Sequence, residues 1–131
     1  MSDTGEGQAT VEAALALPVA LLALVLVVEV GVVVRDALAL GVAAREGARA
    51  VAIDGTDAAA EAAVERSAGP LDPREVEIAV EPAPDERRRG EPVTVRLGYT
   101  RTVRIPLVSR FVDTELPLTA EVTMRLERDP P

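Results

Sequence analysis

The hydrophobic and polar residues divide the chain into two parts with different patterns. Ala13 to Val34 is almost uniformly apolar, with Glu29 as its only strongly polar residue, whereas later segments alternate apolar and polar side chains. A helix over 13–34 is about 33 Å long, close to the thickness of the hydrocarbon in a bilayer. This segment is therefore predicted to span a membrane.

The helix is predicted to continue beyond the span. Asp36 to Val51 keeps helical spacing and contains strong helix formers, and Asp54-Gly55 supplies a stop signal. We predict one long helix over 8–53, with its transmembrane span at 13–34. Residues 54–131 are predicted to form a separate domain outside the span.

The domain over 54–131 shows one short helical segment and then strand-like alternation. A helix is predicted over about 57–68, with Thr56 or Asp57 as its cap and Gly69-Pro70 as its end. Apolar residues then occupy every second position in three segments, which are Val76, Ile78 and Val80; Val93, Val95, Leu97 and Tyr99; and Leu116, Leu118, Ala120, Val122, Met124 and Leu126. Such alternation predicts strands with one buried face. The expected fold class is α+β, a long transmembrane helix followed by a short helix and a small antiparallel β-meander.

Composition removes several classes of function. The chain carries a net charge of −8 and no cysteine or histidine, and all its basic residues are arginine. An acidic chain is poorly suited to phosphate contacts, which argues against nucleic-acid binding. Without His, Lys or Cys the usual pairs of nucleophile and base cannot be built. We therefore predict no enzyme activity, cofactor, metal or small-molecule substrate.

The junction in front of the span is the most specific motif. Gly7 is followed five residues later by Glu12 and then directly by the apolar helix. Prepilin peptidases recognise this arrangement and cleave after the glycine, here between Gly7 and Gln8. A secretory signal peptide would have a shorter apolar region of roughly 7 to 15 residues and a basic front. The front of this chain has no basic residue before Arg35.

The run from Gly7 to about Ala52, together with the later LTAEVTMRLE, resembles the TadE-like family of minor pilins or pseudopilins of the Tad (Flp, type IV-related) pilus. The matching positions are Gly7, Glu12, Pro18, Glu29-Val30-Gly31 and Ala43 to Arg49. The resemblance implies a leader at 1–7, removed by a prepilin peptidase, and partners among other pilin-like subunits and pilus assembly proteins. It also implies a single-pass protein of the bacterial cytoplasmic membrane with its C-terminal domain outside, reaching the cell surface or the pilus after processing.

Charge alone predicts the opposite orientation. The arginines that flank the span, Arg35, Arg45 and Arg49, all follow it, and positive charge usually marks the cytoplasmic side. We follow the resemblance, because a prepilin-type leader has its own recognition. An uncleaved single-pass anchor that presents a small envelope-binding domain is the alternative function.

Two carboxylates in or beside the span need partners. Glu12 is interpreted as an assembly residue that meets the new α-amino group of Gln8 on a neighbouring subunit; the alternative is simple stabilisation by the helix dipole. Glu29 either extends toward the interface, stays protonated or meets a donor on another helix. The two lie about 100° apart around the helix, so they do not share a face.

Small residues along the helix predict close packing with other helices. They are Ala9, Ala13, Ala16, Ala20 and Ala23, extended upward by Gly31, Gly41, Ala44 and Ala48. The alternative is that alanine is simply abundant. Pro18 removes one helical hydrogen bond and is expected to kink or loosen the helix near Ala14. The triplet Arg87-Arg88-Arg89 is predicted to be a solvated hairpin tip, with docking to an acidic partner as the alternative.

Overall fold

The computed structural model describes residues 4–104 and 114–129, with side chains on the first helix described from Gly7 onward. Two helices come first, α1 (Thr4–Asp54) and α2 (Asp57–Ser67). Three strands follow, β1 (Glu77–Glu81), β2 (Pro92–Val103) and β3 (Thr114–Arg125), with short 3-10 turns at Pro73–Glu75 and Pro84–Glu86. Residues 1–3 of the predicted leader lie outside the described residues.

The predicted α+β class and the antiparallel meander are confirmed. The sheet has the order β1-β2-β3, and both strand pairs are antiparallel. Val95 at the centre of β2 pairs with Val80 on one side and with Val122 on the other. Because all three residues belong to the alternating apolar sets, an apolar row crosses all three strands on one face of the sheet.

Both helices form in segments where helices were predicted, and local signals mark the two ends of α2. The α1 helix starts at Thr4, four residues before the predicted start, and remains helical on both sides of Pro18. The hydroxyl of Thr56 accepts a hydrogen bond from the amide of Ala59 at 3.3 Å and so caps α2. After α2, Gly69 has a φ of 60°, a conformation that glycine adopts without steric cost.

The core lies between the two helices and the apolar face of the sheet. Val93, Val95 and Leu97 of β2 are fully buried, and they meet buried positions of α1 such as Leu40 and Val51. The helix side of this core is mostly alanine and glycine, which lets the backbones approach closely. At Gly47 an added Cβ would lie 2.9 Å from Cγ2 of Val64 on α2 and 3.5 Å from Cγ1 of Val95.

The other face of the sheet is polar. The hydroxyls of Thr94 and Thr123 are 2.8 Å apart on paired strands, and Nε of Arg96 donates to the carboxylate of Glu121 at 2.8 Å. These exposed cross-strand pairs fit a face that meets water.

The two halves of α1 have different surroundings. Residues 7–24 are exposed, whereas the sheet and α2 cover one side of the helix from Asp36 upward. Within the described residues one helix, Gly7–Asp54, is long and apolar enough to cross a membrane, and its most apolar 18-residue stretch has a mean hydropathy of 2.8. The chain thus has an N-terminal apolar helix compatible with a single-pass anchor.

Candidate processing and assembly site

The predicted processing site lies in the first turns of α1. Gly7 and Gln8 are both exposed and helical, and the helix begins before them, at Thr4. A Cβ added at Gly7 would meet no heavy atom within 4 Å. The peptide bond between them is therefore uncovered, although it is held in helical conformation.

Glu12 lies one helical turn above Gln8 and is exposed. In the part of the chain that the structure describes, it takes part in no ion pair. Its carboxylate is followed directly by the exposed apolar stretch, where Leu15 and Val19 keep 71% and 67% of their surface accessible. Nothing in the described fold competes for Glu12.

The lower part of the small-residue stripe is also uncovered. Every member of it between the processing site and the middle of the apolar stretch is exposed, namely Ala9, Ala13, Ala16, Ala20 and Ala23. Gly31 is exposed as well, and a Cβ there would touch nothing within 4 Å. In contrast, Ala44 and Ala48 are fully buried against the chain's own core. The stripe available to another helix therefore does not extend upward as far as the sequence suggested.

Glu29 faces the chain's own sheet. It is half-buried, and its Oε2 atom is shielded from solvent without a hydrogen-bond partner in the described structure. Glu29 lines a cavity of about 350 Å³ together with Tyr99, Arg101 and Arg104 from β2 and the residue after it. Arg101 Nε is likewise buried without a partner. The sequence suggests extension toward the interface, protonation or a donor on another helix for Glu29, and none of these includes the end of β2.

A second buried carboxylate lies seven residues, about two turns, above Glu29. Asp36 is 1% exposed, and its two oxygens accept hydrogen bonds from different arginines. Oδ1 accepts from Arg35 Nη2 at 2.9 Å, and Oδ2 accepts from Arg101 Nη1 at 2.6 Å. In the sequence analysis Asp36 only marks the start of the helical segment above the span. Its spacing of four from Leu40 places it on the buried face of α1, which was the available signal.

Tyr99 borders the same cavity. Burial, reinforced by the negative charges of Glu75 and Asp36, raises the pKa of its phenol above the usual value near 10. The hydroxyl therefore stays protonated at neutral pH and remains a hydrogen-bond donor beside the carboxylates.

Comparison with known proteins bears on the lower half of this site. Residues 7–49 match the family model described as TadE-like protein. This segment is TadE-like. The match contains every predicted processing, carboxylate and packing position, and it confirms the resemblance over residues 7–49. The later LTAEVTMRLE lies outside it. No curated protein and no solved structure matches the chain.

The match is confined to α1 and covers about a third of the chain. Residues 50–131 lie outside the match. The described part of the chain contains no group of three acidic or metal-binding side chains placed to hold a metal ion.

The arginine triplet was predicted to be a solvated hairpin tip, and this is wrong for Arg87. Arg87 is fully buried: Nη1 donates to the carbonyl of Gly55 at 2.8 Å, Nε donates to the carbonyl of Pro82 at 2.9 Å, and Nη2 pairs with Asp57. The guanidinium thereby ties the hairpin to the turn between α1 and α2, whose carbonyl would otherwise lack a donor. Arg88 and Arg89 are exposed, as predicted.

Proposed function

We propose that this chain is a pilin-like structural or assembly subunit of a Tad pilus, processed by a prepilin peptidase and acting through helix packing with other pilins. The observation that carries the proposal is the division of α1. An apolar stretch that the chain itself leaves uncovered begins immediately after the Gly7 to Glu12 junction, inside the segment that is TadE-like.

Cleavage after Gly7 would change the charge at the foot of the helix. It removes the first turn of α1 and creates an α-amino group on Gln8, which is charged near neutral pH. Glu12 lies four residues higher, about 6 Å along the axis. A neighbouring subunit displaced along the axis by about one turn would place its amine beside this carboxylate. The attraction is strong where lipid and packed helices exclude water, and it fixes the register between subunits.

The uncovered alanines supply the close approach that this pairing requires. Side chains no larger than a methyl group let two helix backbones pack tightly, which is a main source of helix association in lipid. The stripe formed by Ala13, Ala16, Ala20 and Ala23 is exposed along its whole length. Pro18 lies between them and locally weakens the hydrogen-bond ladder, which would ease departure from the bilayer during assembly.

In the proposed topology the leader is cytoplasmic, where the peptidase acts, and the sheet lies outside the cytoplasmic membrane. The alternative is an uncleaved anchor that presents the sheet to an envelope partner. The continuity of α1 from Thr4 across the Gly7–Gln8 bond favours this alternative, because a peptidase must first unwind that turn.

N-terminal sequencing and intact mass of the protein extracted from membranes of its host test the proposal. We expect a start at Gln8 for the native chain and retention of the leader in Gly7→Leu. Gly31→Leu is the matched control, because neither glycine has a neighbour within 4 Å of an added Cβ and only Gly7 borders the scissile bond. Recovery of the native chain with Met1 or Ser2 at its terminus would exclude processing and leave the simple anchor.

A further inference from the structure

The upper end of the domain carries a groove lined by arginines. Arg49 of α1, Arg89 of the turn before β2 and Arg125 of β3 surround a cavity of about 700 Å³. The remaining lining residues are Ala52, Gly90, Met124, Leu126 and Glu127. We call this feature the arginine groove. Its floor is apolar and its rim is cationic, which is the composition of a docking surface for an acidic, partly apolar partner.

The charges of the arginine groove are mostly not neutralised within the chain. Arg49 and Arg89 form no side-chain ion pair with any described residue, and Arg125 donates only to the carbonyl of Gly90, at 3.1 Å. Glu127 is the one acidic residue on the lining, against three arginines. The carboxylate of Asp129 lies beside the groove as well, since it accepts a hydrogen bond from the amide of Arg89 at 2.8 Å. The local balance is still positive in a chain whose net charge is −8.

The opposite flank of the domain presents an acidic ridge. The buried residues of α2, Ala60, Ala63 and Val64, face α1 and the core. The other side of α2 carries Glu61 and Glu65, which are exposed and one turn apart, with no ion pair in the described structure. Ala58 and Ala62 lie on the same stripe at helical spacing. We call these four residues the glutamate ridge.

The two features lie on different sides of α1. The α1 helix packs across β2 and β3, and the arginine groove opens where its upper end meets β3. The glutamate ridge belongs to α2, and Glu61 and Glu65 border a concavity with Pro73, Arg74 and Ile78 on the β1 side. One molecule therefore cannot bring its own ridge into its own groove.

We propose that the arginine groove binds the glutamate ridge of a second copy of this chain. A helix face with small alanines beside its carboxylates fits a concave site that has an apolar floor and guanidinium groups at its rim. Because groove and ridge lie on different flanks, the contact is heterologous, and repeating it produces a ring or an open helical array. The inference rests on the proposed function for one point only, that α1 holds the copies side by side in the membrane.

The contact is weak on its own and becomes effective when the copies are already neighbours. Exposed ion pairs contribute little individually and are screened by salt. Because α1 confines the copies to one bilayer, the effective concentration of glutamate ridges around each arginine groove is raised. The electrostatic match then selects the orientation of neighbours. The test must therefore use the full chain in membranes.

Cysteine cross-linking offers that test, because the chain has no native cysteine. One copy carries Ala62→Cys within the glutamate ridge, and a differently tagged copy carries Met124→Cys within the arginine groove. Both positions are half-buried, and both substitutions leave every charge in place. We expect a disulfide-linked product that carries both tags. The control pairs Ala62→Cys with Thr119→Cys, which is exposed on the polar face of the sheet.

Charge reversal makes the result specific. Arg49→Glu with Arg125→Glu in the groove copy should lower the cross-link roughly tenfold, and Glu61→Arg with Glu65→Arg in the ridge copy should restore it. Equal cross-linking by the control pair, insensitivity to reversal, or attachment of Met124→Cys to a different protein would overturn the proposal. N-terminal sequencing of the protein from the same membranes distinguishes the two proposals. A start at Gln8 without the cross-link refutes only the groove contact. The cross-link with a retained leader refutes only the processing.

Discussion

Arg101 on β2 donates a hydrogen bond to the buried carboxylate of Asp36 on α1 at 2.6 Å, and the two residues are 65 positions apart in the chain. The contact fixes the lower end of the sheet to the helix just above the apolar stretch. Arg35 occupies the other oxygen of the same carboxylate. Asp36 therefore holds two guanidinium groups at the place where the packed and uncovered halves of α1 meet.

Removing Asp36 should loosen this end of the domain. Asp36→Ala leaves Arg101 without its ionic partner, and we expect a loss of about 2–4 kcal/mol of stability, somewhat below a fully buried pair because Arg101 keeps 24% of its side chain exposed. Thermal unfolding of the detergent-solubilised protein measures it. Arg35→Ala is the control and should change little, since Arg35 is 56% exposed. Equal effects of the two variants would contradict the role of Arg101.

Arg87 anchors the upper end of the domain in a comparable way. Arg87→Ala would leave the carbonyls of Gly55 and Pro82 without their donor and Asp57 without its cation. We expect a destabilisation of about 3 kcal/mol or more. The neighbouring Arg88→Ala should stay within about 0.5 kcal/mol of the native protein, because Arg88 is exposed and bonds only to nearby carbonyls. Limited proteolysis of the turn before α2 provides a second readout.

The contacts of Arg101 and Arg87 are features of the fold that the sequence did not predict. The strands followed from the alternation at Val93, Val95 and Leu97, and the start of α2 followed from Thr56, because those signals are local. The burial of Asp36 and Arg87 depends on partners 65 and 32 residues away, which periodicity does not encode. Glu29 was placed on the helix correctly, but its neighbours on β2 came only from the tertiary structure.

Substitution of Gly47 tests the close packing of the two helices and the sheet. An added Cβ would lie 2.9 Å from Cγ2 of Val64, a β-branched side chain with little freedom to move away. We expect Gly47→Ala to cost about 1–3 kcal/mol through overpacking. Gly41→Ala on the same helix meets nothing within 4 Å and should instead stabilise by about 0.5–1 kcal/mol, the difference in helix propensity. Melting temperatures of the two variants should therefore move in opposite directions.

Substitution of Glu12 distinguishes a role in processing from a role in assembly. Glu12→Ala should leave cleavage after Gly7 largely intact, because the scissile bond lies five residues away. It removes the carboxylate that we propose pairs with the α-amino group of a neighbouring subunit. A hydrogen bond to a charged group contributes about 1.5–3 kcal/mol, so co-purification with other pilin subunits should fall roughly tenfold or more. Glu46→Ala serves as the control, since this exposed carboxylate lies on the same helix far above the apolar stretch. Normal co-purification of a correctly cleaved Glu12→Ala protein would rule out the electrostatic pairing and leave helix packing by the alanine stripe as the basis of association.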